Sequence, residues 1–138
     1  MGLRYCLCSM GLLLGLLLAG CADPGLDRVD VTWETDPPPR WGLFPGYRQE
    51  IPCPKGAIYR VDVFSKGKAF TGGTVSDAGY ALLFQPTAGA RDIEAERDGR
   101  ERMAIYAILR DENGKSRRLL ALRIERKADT MVFEFPKK

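Results

Sequence analysis

Met103-Ala104-Ile105-Tyr106-Ala107-Ile108-Leu109-Arg110-Asp111-Glu112-Asn113-Gly114-Lys115-Ser116-Arg117-Arg118-Leu119-Leu120-Ala121-Leu122-Arg123-Ile124 is the stretch that decides the fold. Met103, Ile105, Ala107 and Leu109 alternate with Ala104, Tyr106 and Ile108. A repeat of two places alternate side chains on opposite faces of a strand. Asn113-Gly114 supplies the dipeptide that tight hairpin turns favour, because both residues tolerate positive φ. Leu120, Leu122 and Ile124 then alternate with Ala121 and Arg123, so the chain returns as a second strand. Met131, Phe133 and Phe135 alternate with Val132 and Glu134 in a closing strand.

Upstream of this hairpin, residues 90–102 admit two readings. Arg91 to Arg102 is rich in Glu and Arg and suits a helix. Asp98-Gly99 interrupts it and signals a hairpin, with Ile93 and Ala95 on the strand before the turn. Further back, Tyr80-Ala81-Leu82-Leu83-Phe84 reads as a buried strand ended by Gln85-Pro86 and Gly89. Ser76-Asp77-Ala78-Gly79 reads as a turn. Ala69 to Val75 continues as a strand in which Gly72-Gly73 predicts a bulge. Ser65-Lys66-Gly67-Lys68 reads as a hairpin, and Tyr59, Val61 and Val63 share one face of the strand before it. Strands of about six residues with turns at regular spacing predict an all-β fold, a small antiparallel β-sandwich over residues 57–138.

Residues 21–56 read as a tether and lead-in segment. Asp36-Pro37-Pro38-Pro39 is stiff and extended, and further prolines follow at 45, 52 and 54. One strand starts early on this pattern, since Val29, Val31 and Trp33 alternate with Asp30 and Thr32. Trp41-Gly42-Leu43-Phe44-Pro45-Gly46-Tyr47 reads as an aromatic loop, either covering one end of the core or presenting a binding patch. Trp33, Trp41, Phe44 and Tyr47 are accordingly the candidate binding residues. No internal repeat is visible.

Composition limits the chemistry. The 138 residues include no histidine. Ser-His-Asp catalysis, His-dependent zinc sites and the usual neutral-pH proton shuttle are therefore excluded. No phosphate loop of the G-x-x-x-x-G-K-[ST] type occurs. Glu94, Glu96, Asp98 and Glu101 are interleaved with Arg91, Arg97, Arg100 and Arg102, which predicts a solvated, salt-bridged hairpin rather than a carboxylate site. Asp111-Glu112-Asn113 lacks the length of a calcium loop and reads as turn chemistry. By strand alternation Arg117 and Arg123 point one way and Arg118 and Arg126 the other, so they form no single basic patch. We assign no catalytic residue, no metal and no cofactor, and the net charge of +3 is no nucleic-acid footprint.

The N-terminus has one charged residue, Arg4, then an apolar run from Met10 to Ala19, then small residues before a cysteine. That layout is a secretory signal, and its apolar run is about half the length a membrane span needs. Leu18-Ala19-Gly20-Cys21 resembles the lipobox of bacterial lipoproteins. The resemblance implies cleavage after residue 20 and a diacylglyceryl group plus an N-acyl chain on Cys21, the lipid-attachment residue. Removing residues 1–20 of the 138 leaves 118, enough for one domain with its own core. The net charge falls from +3 to about +2 with the loss of Arg4. Ala22 after the cysteine favours the outer membrane by the enterobacterial sorting pattern, with the inner membrane as the alternative. Cys6 and Cys8 leave with the signal, so Cys53 is the remaining unmodified thiol. It is expected to be buried, with an intermolecular disulfide as the alternative.

Two further resemblances concern the body of the chain. Asp77, Gly79, Tyr80, Phe84, Pro86 and Gly89 resemble the strand-turn signature of transthyretin-like (carboxypeptidase regulatory) β-sandwich modules over about thirteen residues. Tyr59-Arg60-Val61 and Met103-Ala104-Ile105-Tyr106-Ala107 are similar in character to strands of the outer-membrane lipoprotein of the type VI secretion complex. The leading expectation is a periplasm-facing lipoprotein without enzymatic activity, bound to the membrane through Cys21 and acting as an interaction or accessory subunit of an envelope assembly. The alternatives are binding of a small molecule or glycan on the four aromatic residues, and a role like that of the type VI secretion lipoprotein.

Overall fold

The computed structural model describes residues 25–78 and 81–137. Cys21 and the signal-like segment lie outside the described residues, as do Gly79, Tyr80 and Lys138. The described chain forms ten strands: β1 (Leu26–Trp33), β2 (Arg40–Leu43), β3 (Arg48–Pro52), β4 (Ile58–Ser65), β5 (Lys68–Asp77), β6 (Leu82–Pro86), β7 (Ile93–Arg97), β8 (Arg102–Arg110), β9 (Ser116–Lys127) and β10 (Thr130–Glu134). They build two antiparallel five-stranded sheets in a sandwich-like arrangement. The first sheet runs β2-β1-β4-β5-β6 and the second β3-β10-β9-β8-β7. The chain changes sheet three times, between β2 and β3, between β3 and β4, and between β6 and β7.

The opening hairpin forms, and β8 alternates as expected, but Leu120 does not share a face with Leu122 and Ile124: it pairs with Tyr106 on the outer side, before the bulge. Met103, Ile105 and Ala107 face inward and are buried. They pair with Ile124, Leu122 and Leu119, and a bulge between Leu120 and Leu122 absorbs Ala121. Residues 90–102 take the hairpin reading: β7 pairs with β8 across Asp98-Gly99, and Gly99 has φ +80°. Inward side chains of both sheets, among them Tyr59, Phe133, Ile105 and Leu122, form one continuous core. Among the described residues, that core runs from Leu26 to Phe135.

Several expectations are corrected. Residues 26–52 supply three strands, so the sandwich starts at Leu26 and not at residue 57. The described prolines lie in connections or at strand ends, the positions a sheet tolerates. The expected aromatic loop is half strand, because Arg40–Leu43 pairs with β1. Leu82–Pro86 is an edge strand with Leu83 exposed and not a buried run. Asp77 ends a strand instead of making a turn. The irregularity in β5 falls opposite Val63 and Phe64, not at Gly72-Gly73. Those glycines serve close approach instead: a Cβ on Gly73 would lie 2.6 Å from both the Gln85 carbonyl oxygen and the Phe84 ring. The bulge at Ala121 reverses the parity of β9. Arg118 and Arg123 therefore share the outer face, while Arg117 and Arg126 fall on the inner side.

Candidate functional site

Of the four candidate aromatic residues, the structure brings two together. Trp33 and Trp41 are half-buried and pack against the core from the inner face of the first sheet, Trp41 opposite Val31 and Trp33 stacked on Tyr59 at 6.2 Å between centroids. Phe44 and Tyr47 are 46% and 56% exposed, and their rings meet edge to face at 5.5 Å. They sit on the loop that carries the chain from one sheet to the other. That loop is fixed by backbone bonds: Tyr47 N–H donates to the Phe44 carbonyl (2.9 Å), Gly46 N–H to the Phe135 carbonyl (2.7 Å), and Phe135 N–H to the Tyr47 carbonyl (3.0 Å). Gly46 has φ +92°, which admits this tight path without strain. An exposed aromatic pair is thus held on rigid backbone, the arrangement that suits recognition.

Register places this loop at the end of the sandwich where the described chain begins. Leu43 pairs with Val29, and Leu26 pairs with Ser65 at the β4–β5 turn. The Ser65 hydroxyl donates to the Gly25 carbonyl at 3.2 Å, and Gly67 N–H donates to Asp27 Oδ2. A cleft of about 660 Å³ lies beside Gly25 and Leu26, with Leu119, Phe135 and Lys137 among its walls. A second, of about 490 Å³, opens between the β4–β5 and β8–β9 turns. Phe70 and Leu109 line its apolar side, and Lys66, Arg110, Arg117 and Asp111 its polar side.

The opposite end is closed by buried polar groups. Asp77 has a fully buried side chain, and its Oδ2 lies 3.3 Å from Nη2 of Arg126 on the other sheet. Cys53, 2% exposed, lies nearby, its N–H bonded to the Asp129 carbonyl at 2.8 Å. The buried reading of Cys53 is therefore the one observed. Burial pushes its thiol above the ordinary value of 9.0; a hydrogen bond with Tyr59 opposes this, Asp77 adds to it and Arg126 lowers it. Burial likewise raises the Tyr59 phenol, whose hydroxyl donates to the Pro52 carbonyl. A protonated, enclosed thiol is a poor nucleophile, so this cluster is a joint between sheets.

One carboxylate pair was not visible in the sequence. Asp30 and Asp62 are direct partners on the outer face of the first sheet, with Gly42 beside Asp30 and Gly72 beside Asp62. Like charges facing across a ladder are unfavourable. Arg28 at 2.9 Å and Arg40 at 3.6 Å lie against Asp30, and Arg60 at 3.1 Å against Asp62. Asp30 is only 5% exposed and the Asp62 side chain 32%, so arginines offset the repulsion between the two carboxylates. Of the arginines expected to bridge the 90–102 hairpin, Arg102 lies 3.4 Å from Asp98, whereas Glu94 and Glu96 bond Arg118 of β9 at 2.7 and 3.0 Å, and Arg118 stacks on Tyr106. The described residues contain no cluster of three or more potential metal ligands.

Comparison of the chain with known protein families, curated proteins and solved structures finds no match. The class defined by the fold is an all-β, two-sheet sandwich.

Proposed function

We propose that this protein is a lipoprotein held at the periplasmic face of the outer membrane through acylated Cys21. Its sandwich serves as a non-enzymatic accessory or interaction subunit of an envelope assembly. The observation that supports an interaction role is the Phe44–Tyr47 pair, exposed as an external contact surface on a loop that three backbone hydrogen bonds hold in place. Preordered aromatic side chains give contact area at low entropic cost, which is how interfaces are anchored. The lipobox-like Leu18-Ala19-Gly20-Cys21 supports the anchor. Two or more acyl chains make such attachment lasting.

Two experiments test the reading. Metabolic labelling with an alkyne-tagged fatty acid should mark the wild-type protein and leave Cys21→Ser unlabelled and unprocessed; equal labelling of the variant refutes the anchor. Mild detergent extraction followed by size-exclusion chromatography should show the protein in a heteromeric complex. A protein that always elutes as a lone monomer refutes the accessory role.

A further inference from the structure

We propose that the end of the sandwich carrying Phe44 and Tyr47 rests on an anionic phospholipid surface, a placement that deepens the lipoprotein reading and rests on it for its orientation. Three observations converge. The first is reach. Cys21 stands four residues before Gly25, and four extended residues span at most about 14 Å. An acyl chain on Cys21 would therefore hold the bilayer close to this end and no other.

The second is chemistry. Phe44 and Tyr47 protrude at that end as an apolar ring beside an amphipathic one. Aromatic rings with a polar tip prefer the boundary between hydrocarbon and water. The third is charge. Lys66 and Lys68 stand on the β4–β5 turn, Lys115 on the β8–β9 turn, and Lys137 lies against Gly46. All are at the same end, and their flexible stems let the ammonium groups reach phosphates while the stems lie along apolar surface. Acids stand here too and keep their charge: Asp111 accepts from the N–H groups of Asn113 and Lys115, and Asp27 from that of Gly67. Glu112 is exposed among the lysines, so the attraction is modest and salt-sensitive.

The surface can be tested apart from the anchor on the unacylated chain, once circular dichroism shows that it is folded; the core among the described residues lies within 26–135. The unacylated chain from Ala22 onward is mixed with sucrose-loaded vesicles of phosphatidylethanolamine and phosphatidylglycerol at low salt and sedimented. A bound fraction that falls at least threefold in phosphatidylcholine vesicles, in 0.5 M salt (where the Debye length is about 4 Å) and in Phe44→Ser/Tyr47→Ser is the expected result. Circular dichroism verifies that the variant is folded. Absence of binding, or binding that the double variant leaves unchanged, overturns the proposal and leaves this end as a protein contact. In the acylated protein on the same vesicles, amine acetylation of Lys66, Lys68 and Lys115 should slow relative to Lys55 at the opposite end. Equal rates also overturn it. Loss of acylation in the labelling experiment with retained vesicle binding would instead remove the anchor and keep the surface.

Discussion

Replacing Arg126 by Met would strip the buried Asp77 carboxylate of a cation at 3.3 Å. Asp77 is on β5 and Arg126 on β9, so the pair joins the two sheets. The Asp77 side chain has no exposure and that of Arg126 is 22% exposed, which puts the interaction well away from the screened surface regime. Breaking a buried pair from one side costs about 3–5 kcal/mol, because the remaining charge stays desolvated. For a domain of this size that corresponds to a melting temperature lower by roughly 12 °C or more. Replacing both groups with apolar residues of similar volume removes the penalty with the bond, so Asp77→Leu/Arg126→Met should recover most of the loss. Urea denaturation of the wild type, both single variants and the double variant would close the cycle. A coupling of several kcal/mol is expected, with an unchanged m-value showing that the unfolded state is not the source. If Arg126→Met costs less than about 1 kcal/mol, as exposed ion pairs do, Asp77 is hydrated and the joint is not what the geometry implies.

Gly73→Ala should destabilise by about 1–3 kcal/mol in the same denaturation assay, since its new methyl would meet both the Gln85 carbonyl and the Phe84 ring at 2.6 Å. Cys53 should resist a maleimide probe in the native protein and react in denaturant, and non-reducing gels should show no disulfide dimer; fast native labelling would refute its enclosure. Folded Cys53 and Tyr59 both hold their protons more tightly than the unfolded chain does. Their contribution is complete below the ordinary thiol value of 9.0 and declines as pH rises above it, so thermal melts should show stability falling above about pH 9, with Cys53→Ala/Tyr59→Phe flattening the slope.

Alternation carried most of the strand positions, because a sheet buried on one face writes its register into the sequence. Tyr59, Val61 and Val63 and Met103, Ile105 and Ala107 show this directly. What alternation cannot carry is parity across a bulge. Ala121 is one extra residue, and it exchanges the faces of every arginine that follows it. The Asp30–Asp62 partnership was illegible for a related reason: it depends on the pairing of β1 with β4, a contact between distant segments that no local spacing encodes. Asp30 and Thr32 alternate as exposed residues should, yet both are buried, because the outer face of the first sheet is covered by its own arginines. Of the candidate aromatic set, the sequence identified Phe44 and Tyr47 through their glycine- and proline-rich surroundings. It could not separate them from Trp33 and Trp41, which occupy inward positions of paired strands.

The two ends of the sandwich obey different rules, and that difference bears on function. At one end a buried carboxylate, a guanidinium, a thiol and a phenol meet between the sheets, where each polar group raises the cost of opening the structure. At the other, two open clefts lie between turns and strand ends, and aromatic rings and lysines stand in solvent. Folding alone does not call for an exposed Phe44 beside an exposed Tyr47, since burying them would stabilise the domain by about 1.5 kcal/mol or more each. A rigid backbone holds both rings outward and forgoes that stabilisation, which is what the proposed contact role would require. The end where they stand is also the end from which the chain leads back to Cys21, so the surface with most to gain from a partner is the one an anchor would bring closest to the membrane.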